Sequence, residues 1–181
     1  ISSAGIVTFK DDIKIKDGGT IGVASAADAM TVSSAGIVTF KDDILIKDGG
    51  TIGVASDADV ITIASTGVTT FSKAVVGSTD TDTSNTGSVT LDFNTNQNFV
   101  LTFTGNVTLA NPSTESVGQT GVIICIQDGT GSRTLSLGTD YETVGGAGIT
   151  LSTAASAVDV IPYVVKASGS IQLGAPQLAF S

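Results

Sequence analysis

The chain repeats itself. Residues 2–32 and 33–63 align without a gap at a period of 31 residues and differ at five positions: Lys14/Leu45, Ala26/Asp57, Ala29/Val60, Met30/Ile61 and Val32/Ile63. A third copy starts at Ala64, runs Ser65-Thr66-Gly67-Val68-Thr69-Thr70-Phe71 and diverges near Lys73. Self-similarity at a fixed period marks a modular array, in which a unit buries its apolar face against a neighbour rather than in a core of its own. Ile1 falls in register with Val32 and Ile63, the last position of a copy. The chain is therefore expected to be a piece of a longer polypeptide, with further repeats or other domains ahead of Ile1.

Each copy parses into short strands. Ile6-Val7-Thr8-Phe9 is β-rich, and Asp12-Ile13-Lys14-Ile15-Lys16 alternates apolar with charged, the period of a half-buried strand. Asp17-Gly18-Gly19 and Asp48-Gly49-Gly50 read as turns. Thr20-Ile21-Gly22-Val23 resumes the alternation, Ala24 to Asp28 reads as a small-residue loop, and Met30-Thr31-Val32 alternates again. The alternation puts Ile13, Ile15, Ile21 and Val23 on one face, with Ile44, Ile46, Ile52 and Val54 one copy on. These are the candidate interior of a shaft, with Lys16, Asp17, Lys47 and Asp48 toward water. The 14/45 position takes both Lys and Leu and reads as exposed or at a rim.

A ribbon of three or four such strands cannot cover its own apolar row. Copies stacked as coils of a single-chain solenoid would cover it, and so would three chains wound round one axis. A freestanding solenoid needs at least three copies plus caps. Two full copies and a fragment favour an intertwined homotrimer of β-helix or β-prism type.

Thr, Ser and Gly supply 68 of the 181 residues. All rank low for helix, so an all-β chain is expected throughout. Beyond the shaft (1–73, with its partial copy at 64–73), residues 74–87 read as a linker, because Thr79 to Asn85 contains no apolar residue. Asp80, Asp82 and Ser84 open like a calcium loop, but Asn85 and Leu91 stand where such a loop needs Gly and Glu, so a solvated hinge is expected. Residues 88–181 show eight or nine candidate strands between Asn, Gly and Pro turns, which fits a β-sandwich or jelly-roll knob. Val122–Ile126 and Val158–Val165 are apolar on both faces and read as its core strands.

The net charge of −9 is the wrong sign for a nucleic-acid partner, and no apolar run approaches the length of a membrane span. There is no His, which removes the commonest general base and metal ligand. Cys125, the only cysteine, sits in an apolar run and reads as a buried thiol. Arg133, the only arginine, lies across a Gly-rich turn from Asp128, within reach of pairing with it; a surface or inter-subunit salt bridge is expected, and recognition of an anionic ligand is the alternative. Glycoside hydrolysis needs only two carboxylates, and Glu115, Asp140 and Glu142 would supply them. However, the chain has no Trp and two Tyr to platform a sugar, so these read as solvated loop charges. No enzyme, cofactor or metal is expected.

Gly118-Gln119-Thr120-Gly121-Val122-Ile123-Ile124, then Gln127-Asp128-Gly129-Thr130-Gly131-Ser132-Arg133-Thr134-Leu135, Gly145-Gly146 and Leu151 to Val160, resemble the C-terminal domain of tail-fibre-type proteins of tailed bacteriophages, those of marine bacteria in particular. Ile46 to Gly53 with Ile61 to Gly67 resembles their shaft segments; residues 74–87 match poorly. The resemblance implies a virion location and a homotrimeric fibre, joined to other virion proteins through segments before Ile1. It also implies a C-terminal knob that touches a host-surface glycan or protein. It leaves tail fibre, tailspike accessory and head fibre open and transfers no catalytic residue. The alternative is a repeat-built bacterial surface filament or adhesin. The loop Leu137–Gly148 lacks alternation and gathers Asp140, Tyr141 and Glu142, the candidate receptor contacts. The Tyr141 ring either lies on that surface or packs beneath its own loop.

Overall fold

The computed structural model describes residues 13–180 apart from residue 24, and only the backbone of residues 23, 26 and 27. The described residues form fourteen β-strands and one 3-10 turn, with no α-helix. The chain is all-β and divides between Ala74 and Val75 into two compact units.

The first unit holds two three-stranded antiparallel sheets. One is β1 (Gly19–Val23), β2 (Ala26–Val32) and β3 (Val38–Phe40); the other is β4 (Gly50–Val54), β5 (Asp57–Ile63) and β6 (Thr69–Phe71). Their registers coincide at a 31-residue offset: Ile21 faces Met30 as Ile52 faces Ile61, and Met30 faces Phe40 as Ile61 faces Phe71. Each sheet takes its third strand from the start of the next sequence copy.

Two local expectations are corrected here. Asp43 to Lys47 forms no strand, although its alternation defines an apolar face. A strand also needs a neighbouring edge to complete its hydrogen bonds, and among the described residues no strand pairs with it. Conversely, most of the stretch expected as a small-residue loop is strand. Val54 pairs with Asp57, so the turn shrinks to Ala55-Ser56, the two-residue length that hairpins favour. Ile6–Phe9 lies outside the described residues.

The turn before each sheet needs glycine twice. Gly49 sits at φ 72°, a backbone region that side chains disfavour. The Gly50 N–H donates to Lys47 O at 2.8 Å, and a Cβ on Gly50 would run into Ile46 Cγ2. Gly18 (φ 71°) and Gly19 stand in the same places one copy earlier, with Gly19 N–H donating to Lys16 O.

The second unit is one eight-stranded mixed sheet: β7 (Thr79–Thr90), β8 (Asn98–Ala110), β9 (Thr120–Gln127), β10 (Leu135–Leu137), β11 (Tyr141–Glu142), β12 (Val158–Ala167), β13 (Ser170–Leu173) and β14 (Gln177–Phe180). The expected sandwich gives way to this single sheet. Sandwiches of that kind are antiparallel, whereas β7–β8, β8–β9, β8–β10 and β11–β13 pair in parallel. Most of the stretch read as a linker is β7. Its polar residues mark a sheet edge rather than a hinge: among the described strands it pairs with β8 alone, and an edge strand can keep charged and polar side chains in water.

Chain reach forces the sheet to curl. A flat strand of β7's 12 residues runs about 36–40 Å. The chain returns from Thr90 to Asn98, beside Thr79, in eight steps that reach about 29 Å at most. The β7–β8 pair therefore bends, with register shifts around Asn85. The return segment carries Leu91 and Phe93 into the core, where the Phe93 ring packs tilted against Phe99 and edge-to-face against Tyr163, at centroid distances of 5.0 and 5.2 Å. Alternate residues of the central strands, among them Phe99, Leu101, Ile123, Cys125, Ile161 and Val165, fill that core. Their even-numbered neighbours Val100, Val122, Ile124, Ile126, Val158 and Val160 are half-buried on the opposite face.

Candidate attachment surface

Asn111, just beyond β8, anchors the base of the 137–148 loop. Its Nδ2 donates to Thr139 Oγ1 at 2.8 Å, and its Oδ1 accepts the Asp140 N–H at 3.1 Å. Gly138 N–H donates to Leu109 O, and Ile171 N–H donates to Asp140 O at 2.7 Å. Tyr141 then pairs with Ile171, and Glu142 with Gln172. Because successive side chains on a strand point to opposite faces, Tyr141 goes inward and Glu142 outward.

Of the two placements considered for Tyr141, the structure has the ring beneath its loop. It is 6% exposed, within the core, and its hydroxyl has no hydrogen-bond partner. Burial pushes its pKa up, with smaller contributions from the charges of Asp140 and Glu115. Glu142 faces the surface, where its carboxylate accepts from Ser170 Oγ at 2.6 Å and from Lys166 Nζ at 3.0 Å. Those two partners, the serine first, hold its pKa below the ordinary carboxylate value. Glu115 Oε1 accepts the Gly169 N–H at 2.6 Å, which lowers its pKa too. Glu115 and Glu142 are therefore engaged by the 166–170 turn rather than being loose loop charges. Asp140 is half-buried.

Past β11 the chain makes a 3-10 turn over Val144–Gly146. Thr143 closes it: its carbonyl accepts from Gly146 N–H and its Oγ1 from Gly148 N–H. Gly145 and Gly146 sit at φ 64° and 67°, and the turn lifts Val144 into solvent, 86% exposed. Sequence reasoning passed over Val144, since one Val beside paired glycines carries no periodic signal. Between this turn and β10 lies an open cleft of about 770 Å³, lined by Ser136, Leu137, Glu142, Thr143, Gly148 and Ile149.

Elsewhere, Arg133 donates from Nε and Nη2 to Asp128 Oδ2 at 3.1 and 2.8 Å. Asp128 Oδ1 accepts the N–H groups of Thr130 and Gly131. The guanidinium, then the Gly131 N–H, hold the Asp128 pKa low. Cys125 is buried, and burial pushes its thiol up to about 12. Among the described residues no group of His, Cys, Asp and Glu is placed to hold a metal ion.

The shaft-interior candidates are mostly uncovered within a single chain. Ile13, Ile21, Ile44, Ile52 and Val54 are exposed, and Ile15 and Ile46 half-buried. The Val23 side chain lies outside the described residues. Lys14 is exposed, and Leu45 is 98% exposed.

Residues 83–170, just under half of the chain, match a protein family described as "putative phage tail fibre C-terminal domain". The match begins within β7 and ends at the first residue of β13, so it contains the curled sheet's central strands and the 137–148 loop. No curated protein and no solved structure matches the chain. Residues 83–170 thus form a domain of the phage tail-fibre C-terminal type, which makes the chain a component of a virion appendage.

Proposed function

We propose that the chain is a non-enzymatic structural subunit of a homotrimeric phage fibre, whose first unit forms an intertwined shaft and whose second unit is the knob that meets the host surface. The observation that carries the shaft reading is the absence of a core. Among the described residues from 13 to 84, only Gly19 and Gly50 are buried, while Ile44, Ile52, Val54, Val68 and Phe71 stand exposed. A soluble unit rarely leaves so much apolar surface uncovered. The rows recur at 31 residues, so a partner that covers both must carry the same period, as another copy of this chain does. Mass photometry of the full chain at micromolar concentration is expected to give three times 18.0 kDa. A stable soluble monomer would sink the reading.

For the host contact we propose the 137–148 loop. Asp140, Glu142 and Val144 supply its outer surface, and Tyr141 acts as the packed base that positions them. Weak polar contacts become useful when three knobs engage together. The test is a Glu142→Gln, Val144→Asp double variant of the assembled chain, scored for adsorption to host cells. Adsorption equal to the parent's, with unchanged assembly, would remove this loop as the contact.

A further inference from the structure

We infer that the outward face of the second unit's sheet is a docking surface for the same face of further copies of this chain; this rests on the multi-chain fibre proposed above. A sheet with one face in water alternates apolar and polar residues. β9 and β12 do not, and β8 departs from the alternation at Val100. Val100, Ile124 and Val160 lie side by side across the three strands, Ile126 lies against Val158, and Val122 against Pro162. Phe180, exposed on β14, extends the Val158 row. The same strands carry the core on their other face, so this second apolar layer adds nothing to the unit's own interior.

Charge identifies the occupant. β8 and β9 contain no charged residue. In β12, Asp159 turns inward, buried and accepting from Ser152 N–H, Ser152 Oγ and Ala179 N–H, and Lys166 stands at the far end, paired with Glu142. An acidic or basic partner therefore finds no counter-charge here. Copies that each carry −9 repel wherever carboxylates face one another, and they meet at least cost across β8, β9 and β12, whose outward side chains include no carboxylate. Val and Ile are stiff at χ1, so ordering them at an interface costs little entropy. Copies already joined through their repeats hold these faces at the raised effective concentration of a tether. A cyclic assembly turns the same patch of every copy toward its axis.

The test places a single thiol on the face of the full-length chain. Ile124→Cys and, separately, Val160→Cys are made in a Cys125→Ala background, with Ile149→Cys, half-buried as they are but off this face, as the control. Maleimide labelling is followed alongside particle mass. The expected result is a multi-chain particle in which both face thiols label about tenfold or more slowly than the control. A multi-chain particle whose face thiols label at the control rate overturns this inference and leaves the fibre reading standing. A monomer with labelled thiols overturns both. A monomer with protected thiols also overturns both, because the chain then covers its own face. Two positions are used so that a packing defect at one does not decide the outcome.

Discussion

The Tyr163 hydroxyl on β12 donates to the backbone carbonyl of Gln97, at 2.6 Å and 66 residues away in sequence. Gln97 ends the return segment that crosses the curled β7–β8 pair, so this bond ties that segment to the centre of the sheet. Burial pushes the Tyr163 pKa up to about 12, as expected of a phenol that stays a donor. A Tyr163→Phe variant keeps the ring contacts with Phe93 and Phe99 and leaves the carbonyl unsatisfied. Such a loss costs about 1–3 kcal/mol. Denaturant unfolding followed on this unit is expected to shift its midpoint down without changing the slope.

Gly121 is small because of that same bond. A Cβ there would run into Gln97 O and approach the Tyr163 ring and hydroxyl to 2.9 Å. Gly121→Ala is expected to destabilise the unit by about 1–3 kcal/mol, the cost of overpacking, although alanine suits a strand better than glycine. Combining it with Tyr163→Phe should give less than the sum of the two losses, because both act on one contact.

In the shaft, neighbouring residues are expected to respond oppositely. Leu45→Lys reproduces the residue at position 14 on a side chain that is 98% exposed, and should change stability by about 0.5 kcal/mol or less. Ile46→Asp places a charge in the proposed interior of every copy, where unpaired burial is prohibitive. The assembly should fall apart or melt at much lower temperature. Equal melting curves for the two variants would contradict the assignment of faces.

Stability should fall in acid and stay flat near neutrality. Asp128, Glu142, Glu115 and Asp92 all have folded pKa values below their ordinary ones. A depressed carboxylate contributes stability that is fully present above its unfolded pKa, about 4, and is lost as pH falls through the folded value. The chain has no His to titrate between pH 5 and 8. Melting temperature is expected to be level from pH 6 to 8 and to decline below about pH 4. Asp128→Asn should lower the neutral plateau and shrink the acid decline. A step near pH 6.5 would contradict this account.

By itself the sequence determined the all-β class, the 31-residue period, the glycine turns and the phage-fibre affinity of the C-terminal part. Each of these is written in short-range pattern: residue type, spacing of two, and self-similarity. It also marked the 137–148 stretch as irregular. Tertiary structure decided what short-range pattern cannot carry. Alternation in Asp43 to Lys47 defines an apolar face, yet strand formation depends on a partner edge that the described residues do not supply. The polar stretch Thr79 to Asn85 is strand rather than linker because β8 lies beside it, and pairing of backbone groups is blind to side-chain polarity. The single curled sheet follows from an eight-step return that cannot span a flat strand. Tyr141 and Glu142 are adjacent in sequence, but the pleat and β13 send one into the core and the other to the surface.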